Sequence, residues 1–242
     1  MKDKDLHAHH ISQQFNTELD DIKTRMLEMG GVVEKQVADA INAFMSQDSG
    51  LAEDVDRGDR IVNALELSID EDCTIILARR QPAATDLRLV LSISRIISDL
   101  ERMGDEACKV AHSAIKLGEL GGLPRSVLEI RHIGDHVLGM VRNALDAFAR
   151  FDSDKALEVA EEDHAVDIEY GTAMRSLVTY MMEDPRNITA CAHLLFVAKN
   201  IERMGDHVTS IAEQVHFLAQ GEIPEDDRPK GDSSAFTLVE LK

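Results

Sequence analysis

Apolar residues return every three or four positions along almost the whole chain, which is the pattern of helices with one buried face. In the first stretch this spacing continues from Ile11 to Phe44. The pattern predicts six long helices, at about residues 11–45, 51–80, 82–117, 124–151, 153–183 and 185–220. Proline stands at three of the predicted helix starts, where its missing N–H is tolerated; these prolines are Pro82, Pro124 and Pro185.

The strongest break in this pattern lies at residues 118–124, where three glycines and a proline occur. Three helices precede the break and three follow it. Because the links between neighbouring helices are short, each group of three must run up, down and up. The sequence therefore predicts an all-α protein of two repeated antiparallel three-helix bundles, at residues 1–118 and 119–220, followed by a disordered acidic tail at residues 221–242.

A repeated word indicates that the second bundle is a copy of the first. Glu-Arg-Met-Gly-Asp occupies residues 101–105 and again residues 202–206, in the middle of the third helix of each predicted bundle. An identical five-residue word arises by chance in a chain of this size with odds on the order of 1 in 100. The word also begins at matching places, 19 residues after Pro82 and 17 residues after Pro185. The chain therefore contains a duplicated unit.

Composition and charge narrow the class of protein. Apolar residues make up 44 % of the chain and aromatic residues 4 %, a balance that favours helices over sheets. The net charge of −19 repels phosphate backbones and anionic lipid, and no local basic stripe is evident that would support nucleic-acid binding. The chain also lacks an apolar run long enough to cross a membrane and a signal-peptide core.

The cysteines agree with a reducing compartment, because they are few, odd in number and scattered; they are Cys73, Cys108 and Cys191. Together with the charge, this predicts a soluble, cytoplasmic protein with no nucleic-acid partner and no direct membrane insertion.

The repeated word carries two carboxylates that are four residues apart and so share one face of their helix. They are Glu101 and Asp105 in the first copy, and Glu202 and Asp206 in the second. On its own this spacing means little, since about eight such acidic pairs are expected by chance in a chain of this length and acidity. An acidic pair is in most cases part of a solvated helix face.

A helical hairpin would add two more carboxylates to the second pair. Asp163 and Asp167 precede Pro185 by 22 and 18 residues, and Asp206 and Glu202 follow it by 21 and 17. If the chain folds back near Pro185, the four side chains lie at the same height, within about 6 Å along the helix axis. Equal height does not establish that they face one another, because counting residues does not determine helix rotation.

The first bundle repeats this arrangement in a weaker form. Asp59 and Asn63 precede Pro82 by 23 and 19 residues, and Asp105 and Glu101 follow it by the same distances. Asn63 supplies a neutral carbonyl where the second bundle has a carboxylate.

Crowded carboxylates must be protonated, paired with bases or bridged by a cation. Oxygen ligands suit hard cations such as Mg²⁺, Mn²⁺, Ca²⁺ or iron. The alternative is that Arg102 and Arg203 neutralise the acids as ion-pair partners. The predicted metal-binding residues are Asp59, Glu101, Asp105, Asp163, Asp167, Glu202 and Asp206.

The repeated word also contains a glycine, at Gly104 and Gly205. Glycine inside a helix costs about 1 kcal/mol relative to alanine. Close approach of a neighbouring backbone is the simplest reason for it to occur twice at the same place.

Several stretches of the chain resemble the PhoU family, the accessory proteins of the high-affinity phosphate transport system. The resemblance covers nearly everything up to about Gly221 and implies six helices in two repeats. It is carried by both copies of the repeated word and by HISQQFNTELDDI at residues 10–22, RRQPAATDLRLV at 79–90, NALDAFARFD at 143–152 and LVTYMMEDPR at 177–186.

The resemblance also implies a function. PhoU proteins are cytoplasmic, usually dimeric adaptors that connect the phosphate ABC transporter, through its ATPase subunit, to a membrane histidine kinase. They hold this kinase in its repressing state when phosphate is plentiful, which represses the phosphate-starvation genes and restrains phosphate uptake. By this resemblance the chain is expected to be a homodimeric negative regulator that performs no catalysis and requires no cofactor.

Some members of the family carry multinuclear metal clusters on paired E(D)xxxD motifs. These motifs correspond here to residues 101–105, 163–167 and 202–206, whereas Asp59–Asn63 departs from the pattern. The resemblance therefore implies that divalent or iron cations bind at the second repeat, with fewer ligands at the first.

Two further functions stay open at this point. A di-metal carboxylate oxidase uses Glu-x-x-His words on a helical bundle, and Glu129–His132 and Glu161–His164 have that spacing. About one such spacing is expected by chance, however, and these two do not occupy equivalent repeat positions. A metal-storage or metal-buffering bundle would use the paired carboxylates as its working sites.

Overall fold

The protein, analysed as a computed structural model, is described over residues 2–119 and 127–223, with side chains described for residues 13–118 and 128–223. This part of the chain forms six long helices and one short 3₁₀ turn at Pro185–Asn187. The all-α prediction is therefore confirmed. The helices are α1 (Lys2–Ser46), α2 (Ser49–Arg80), α3 (Ala84–Glu119), α4 (Val127–Arg150), α5 (Ser153–Glu183) and α6 (Ile188–Gln220).

The helix starts are the least accurately predicted feature. The first helix begins at Lys2, nine residues before its predicted start at about residue 11. The helix after Pro82 begins only at Ala84, and Pro185 opens the 3₁₀ turn rather than α6 itself. The chain passes through left-handed backbone at Gln81 and at Ala84, with φ of 48° and 49°, so regular α3 geometry follows the second of these residues. Pro124 lies outside the described residues.

The second helix of each bundle begins in the same way. Asp48 caps α2 by accepting a hydrogen bond from the Leu51 N–H at 3.0 Å, and Asp152 caps α5 by accepting one from the Lys155 N–H at 3.1 Å. Such caps satisfy backbone donors that have no partner within the helix, and each contributes about 1 kcal/mol. The duplication therefore extends to the turns between the helices.

Each bundle packs its three helices around an apolar core, and α3 and α6 join the two bundles. The helices α1, α2 and α3 pack together, as do α4, α5 and α6, while α3 lies along α6 and α1 touches α4. Most of the buried side chains are aliphatic or methionine, and the largest of them include Phe44 and Phe148. The helices α2 and α5 therefore lie on the outer sides of the molecule.

Side-chain contacts show how α3 and α6 run past each other. His207 Nδ1 lies 3.1 Å from Asp99 Oδ1, and Arg203 lies 3.3 Å from Glu106. Residue numbers rise on one helix as they fall on the other, so the two helices are antiparallel. Their crossing is centred near Met103 and Met204, which are both fully buried. The two copies of the repeated word therefore meet at the middle of the interface between the bundles.

No helix within residues 2–119 and 127–223 combines the length and the apolar character needed to cross a membrane.

Candidate functional site

The second repeat brings its four predicted carboxylates together between α5 and α6. Burial is the main cause that raises the pKa of Glu202 to about 7, and the charges of Asp206 and Asp167 raise it further. Lys199 opposes this rise, because its ammonium donates a hydrogen bond to Glu202 Oε1 at 2.9 Å. Glu202 is thus a buried carboxylate held among like charges with one basic partner.

Asp206 lies one turn further along α6 and shares this environment. Desolvation is again the first cause of a raised pKa, to about 6, followed by the charges of Asp163 and Asp167. Asp206 is exposed on one side, so water screens part of this repulsion. The helix hairpin therefore brings Asp167 within electrostatic reach of both Glu202 and Asp206, and Asp163 within reach of Asp206.

The first repeat has a similar cluster between α2 and α3. Burial raises the pKa of Glu101, and the charges of Asp105, Glu66 and Asp59 add to the rise. Glu66 was missed by the sequence analysis, although it lies seven residues after Asp59 and so shares its helix face. Asn63 donates a hydrogen bond to Asp59 Oδ2 at 3.1 Å and so acts as a donor to the cluster.

The glycine of the repeated word lies beside an aspartate of the neighbouring helix. A Cβ atom at Gly104 would lie 3.0 Å from Asp59 Oδ1, and one at Gly205 would lie 3.7 Å from Asp163 Oδ1. The expectation of a close neighbouring backbone is corrected here, because the nearest atoms at both positions belong to side chains. Only at Gly104 is the contact tight enough for the missing Cβ to make room for the carboxylate; at Gly205 a Cβ would make an ordinary van der Waals contact.

A buried glutamine distinguishes the first cluster from the second. Gln36 of α1 donates from Nε2 to Asp59 Oδ1 at 3.3 Å, while its Oε1 is buried with no hydrogen-bond partner among the described residues. The corresponding neighbour of Gly205 is Val137 of α4. The search for paired acids could not find Gln36, because its signal is a polar residue inside an apolar helix face.

The arginines of the repeated word pair mainly with acids outside the two carboxylate clusters, in contrast to the alternative raised by the sequence. Arg102 lies 3.7 Å from Asp99, and Arg203 pairs with Glu106, so both arginines make their ion pairs at the interface between α3 and α6. Lys199 is the base that contacts Glu202.

The described side chains do not include three or more His, Cys, Asp or Glu residues arranged to hold one metal ion as they stand. The chemistry of the clusters nevertheless suits a hard cation, since repelling carboxylates with raised pKa values are what a bound cation would stabilise in charged form. Cation binding at the seven residues therefore stays a prediction.

The two Glu-x-x-His words do not form a shared centre. Glu129 accepts a hydrogen bond from Ser176 at 3.0 Å, and His132 lies 3.7 Å from Glu169, both across the contact of α4 with α5. Glu161 and His164 lie on α5 with exposed side chains. The two Glu-x-x-His motifs therefore do not come together as the ligands of a di-metal oxidase would.

Known proteins share both the sequence and this architecture. The PhoU domain family matches residues 26–114 and 130–215. The chain is 57 % identical over 221 residues to the "Phosphate-specific transport system accessory protein PhoU homolog" of Pseudomonas aeruginosa, covering 91 % of each chain. The chain belongs to the PhoU family. The PhoU of Escherichia coli (strain K12), a "Phosphate-specific transport system accessory protein", is 46 % identical over 213 residues and 88 % of each chain.

Solved PhoU structures agree with the fold. The crystal structure of PhoU from Pseudomonas aeruginosa has a TM-score of 0.84 and 56 % identity, covering 86 % of this chain and 100 % of that one. The "phosphate transport system regulatory protein PhoU" of Streptococcus pneumoniae has a TM-score of 0.81 and 29 % identity, covering 87 % and 99 %. The two bundles thus follow an architecture seen in other PhoU proteins.

Proposed function

We propose that this chain is a cytoplasmic accessory protein of phosphate-specific transport that acts as a negative regulator. In this proposal it holds the phosphate-starvation regulon off, and restrains phosphate uptake, when phosphate is abundant. The observation that carries the proposal is the 57 % identity over 91 % of both chains to a protein whose name is phosphate-specific transport system accessory protein PhoU homolog. The word "regulatory" in the name of the Streptococcus pneumoniae protein supports the same role.

The regulator acts by contact, as a homodimeric adaptor without chemistry of its own. Its partners are the ATPase subunit of the phosphate ABC transporter and a membrane histidine kinase. A duplicated double bundle supports this role, because two related outer helices, α2 and α5, offer two similar faces for two partners. The net charge of −19 further implies that association of an acidic face with a partner weakens as salt rises.

The decisive experiment measures alkaline phosphatase in phosphate-rich medium, in a strain that lacks this chain and in the same strain with the chain restored from a plasmid. The proposal expects high activity in the deletion strain and a return to low activity on restoration. An empty plasmid is the control. Low activity in the deletion strain would refute the role as a repressor.

Cation binding is the second function that a specific observation favours. Burial and mutual repulsion raise the pKa values of Glu202 and Asp206, and a cation would relieve both costs. Equilibrium dialysis against Mn²⁺, Mg²⁺ and iron should show uptake that the double variant Glu202→Gln/Asp206→Asn loses. The exposed pair Glu158→Gln/Glu161→Gln on α5 is the matched control. Equal uptake by wild type and the first double variant would remove this site.

A further inference from the structure

Five basic residues follow one another at intervals of seven along α3. These residues, here named the basic column, are Arg88, Arg95, Arg102, Lys109 and Lys116. At this chain's content of 26 lysines and arginines in 242 residues, five in such a row arise by chance on the order of 1 time in 300. A search for clustered bases along the linear sequence does not find them, because no two are adjacent. The expectation of no basic stripe is corrected by this pattern.

The basic column lies on the outer side of α3, next to α6. Arg95, Arg102 and Lys116 are exposed, and the side chain of Arg102 is 63 % accessible. Arg203 of α6, which is 50 % accessible, lies beside the same stretch through its contact with Glu106. Asp59 and Glu66 of the first cluster lie on α2, whereas Glu101 and Asp105 lie on α3 close to Arg102.

Acids beside the basic column take up part of its charge. Asp99 is shared by Arg102 and His207, and Glu106, which is only 2 % exposed, is shared by Lys109 and Arg203. The exposed Asp105 lies one turn from both Arg102 and Lys109. Among the described residues, Arg95 and Lys116 are exposed and form no ion pair with an acid, so these two positions keep uncompensated positive charge.

The spacing of the charges limits what fits them. Seven residues of α-helix span about 10.5 Å, so the five bases extend over about 42 Å. On a straight α-helix, residues spaced by seven shift by only about 20° around the axis at each step. A second helix that stays in contact with such a row supercoils around the first helix, as in a coiled coil. The charges of such a partner helix recur every seven residues as well. Nucleic acid instead carries its charges at a few ångströms along each strand.

We propose that the basic column is the docking surface for an acidic α-helix of a partner protein, whose carboxylates recur every seven residues. The inference deepens the proposed adaptor role and rests on it. The helix lies along α3 between α2 and α6, and its carboxylates pair with the successive bases. The attraction depends on the alignment of the two rows as well as on their total charge.

A binding assay with the full chain tests the proposal without any phosphate signal. The probe is a labelled helical peptide of about 30 residues, long enough to span the column, with glutamate at every seventh position. The second peptide has the same composition with the glutamates at irregular positions, and duplex DNA is the third probe. The column variant is Arg95→Gln/Arg102→Gln/Lys116→Gln, which leaves Lys109 to pair with Glu106.

The control variant Arg57→Gln/Arg131→Gln/Arg175→Gln removes the same charge from exposed sites on α2, α4 and α5. Wild type should bind the regular peptide at least about tenfold more tightly than the irregular one, and binding should weaken with salt. The column variant should lose about tenfold in affinity, whereas the control variant should stay within about twofold. Circular dichroism checks that both variants keep their helices.

Three results would overturn the proposal: equal binding of the two peptides, equal loss in the two variants, or tighter binding of DNA than of the regular peptide. Equal loss would mean that only net charge matters, and preferred DNA binding would indicate a nucleic-acid partner. A failure here is distinguishable from a failure of the proposed function. The alkaline phosphatase experiment reports repression by the whole chain and does not require that the partner docks on α3.

Discussion

At the scale of single residues, the positions of the repeated Glu-Arg-Met-Gly-Asp sequence make different contacts. The glutamate and the aspartate face the neighbouring helix of their bundle, the methionine is buried near the crossing of α3 with α6, and the glycine lies beside a carboxylate of α2 or α5. The arginine ion-pairs at the interface between α3 and α6. Five consecutive residues thus serve three different contacts, which explains why the whole word, rather than an acidic pair, is repeated.

The two glycines should respond differently to alanine. At Gly205 the nearest atoms to a new Cβ are at 3.6 Å, an ordinary contact, so Gly205→Ala should raise stability by up to about 1 kcal/mol through helix propensity. At Gly104 the new Cβ meets Asp59 and the buried Gln36 at 3.0 and 3.1 Å, and their movement offsets the gain. Urea denaturation should show Gly104→Ala about 1 kcal/mol less stable than Gly205→Ala. An equal rise in both variants would contradict this account.

The buried carboxylate of Glu202 should make stability depend on pH. Its pKa is about 7 in the folded protein and close to the ordinary 4.5 in the unfolded chain. Between these values the folded state holds a proton that the unfolded state has released, so the contribution of Glu202 to stability falls as pH rises. The loss by about pH 8 is as much as about 3 kcal/mol.

Glu202→Gln removes this titration and should make the fall of the unfolding free energy between pH 5 and 8 shallower, measured in the presence of a chelator. A smaller fall remains, because the pKa of Asp206 is raised to about 6. Chelator is needed because a bound cation would favour the charged carboxylate. The exposed Glu158→Gln is the control and should retain the wild-type slope. Superimposable profiles of wild type and Glu202→Gln would show that the carboxyl is not perturbed.

At the scale of elements, α3 and α6 differ from the other helices because they pack both within their own bundle and across the interface between the bundles. Both pack within their own bundles and against each other, so a single helix face serves two cores. The contact of His207 Nδ1 with Asp99 and the ion pair of Arg203 with Glu106 align them in antiparallel register. The outer helices α2 and α5 instead complete one bundle each and supply the carboxylates that reach the repeated words.

Truncating a side chain where α3 crosses α6 should lower the free energy of unfolding far more than truncating one on the surface. Met204 is fully buried near the centre of the interface, so Met204→Ala should lower the free energy of unfolding by about 2–5 kcal/mol. Met182 is 70 % exposed on α5, and Met182→Ala should change it by less than about 0.5 kcal/mol. Thermal unfolding of the two variants beside wild type measures both. Similar midpoints for the two would show that the crossing is loosely packed.

At the scale of the whole molecule, the two bundles pack against each other instead of being joined only by the connecting chain. The contact of α3 with α6 is about as extensive as the contacts within a bundle, and α1 adds a second contact with α4. The second carboxylate cluster lies between α5 and α6, whereas Glu101 and Asp105 of the first cluster lie on α3 beside Arg102 of the basic column.

The bundles should stay together when the chain between them is cut. A protease site placed at residues 120–126 would separate α3 from α4 without touching the interface of α3 with α6. Because that interface buries Met103 and Met204, contains the Arg203–Glu106 ion pair and joins His207 to Asp99, the fragments should co-elute in size-exclusion chromatography. A matched chain without the site controls for proteolysis elsewhere. Separate elution of the fragments would mean that the connection is covalent only.

Much of the fold could be predicted because its signals are local. The apolar period determines six helices, and the repeated word determines that the third and sixth are equivalent, since both are properties of neighbouring residues. The ends of α3 and α6 were placed less well because left-handed backbone at Ala84 and the 3₁₀ turn after Pro185 delay the helices. Local pattern does not report such turns.

The sequence by itself determined the all-α class, the duplication, the acidic charge and the family resemblance. Only the tertiary structure decided which of these residues meet: that Glu66, Gln36 and Lys199 join the carboxylate clusters, that Gly104 makes room for Asp59, and that Arg95, Arg102 and Lys116 of the basic column are exposed. The physical reason is that spacing along a helix sets height and relative angle within that helix. The rotation of one helix against another is set by the packing of all their buried side chains at once.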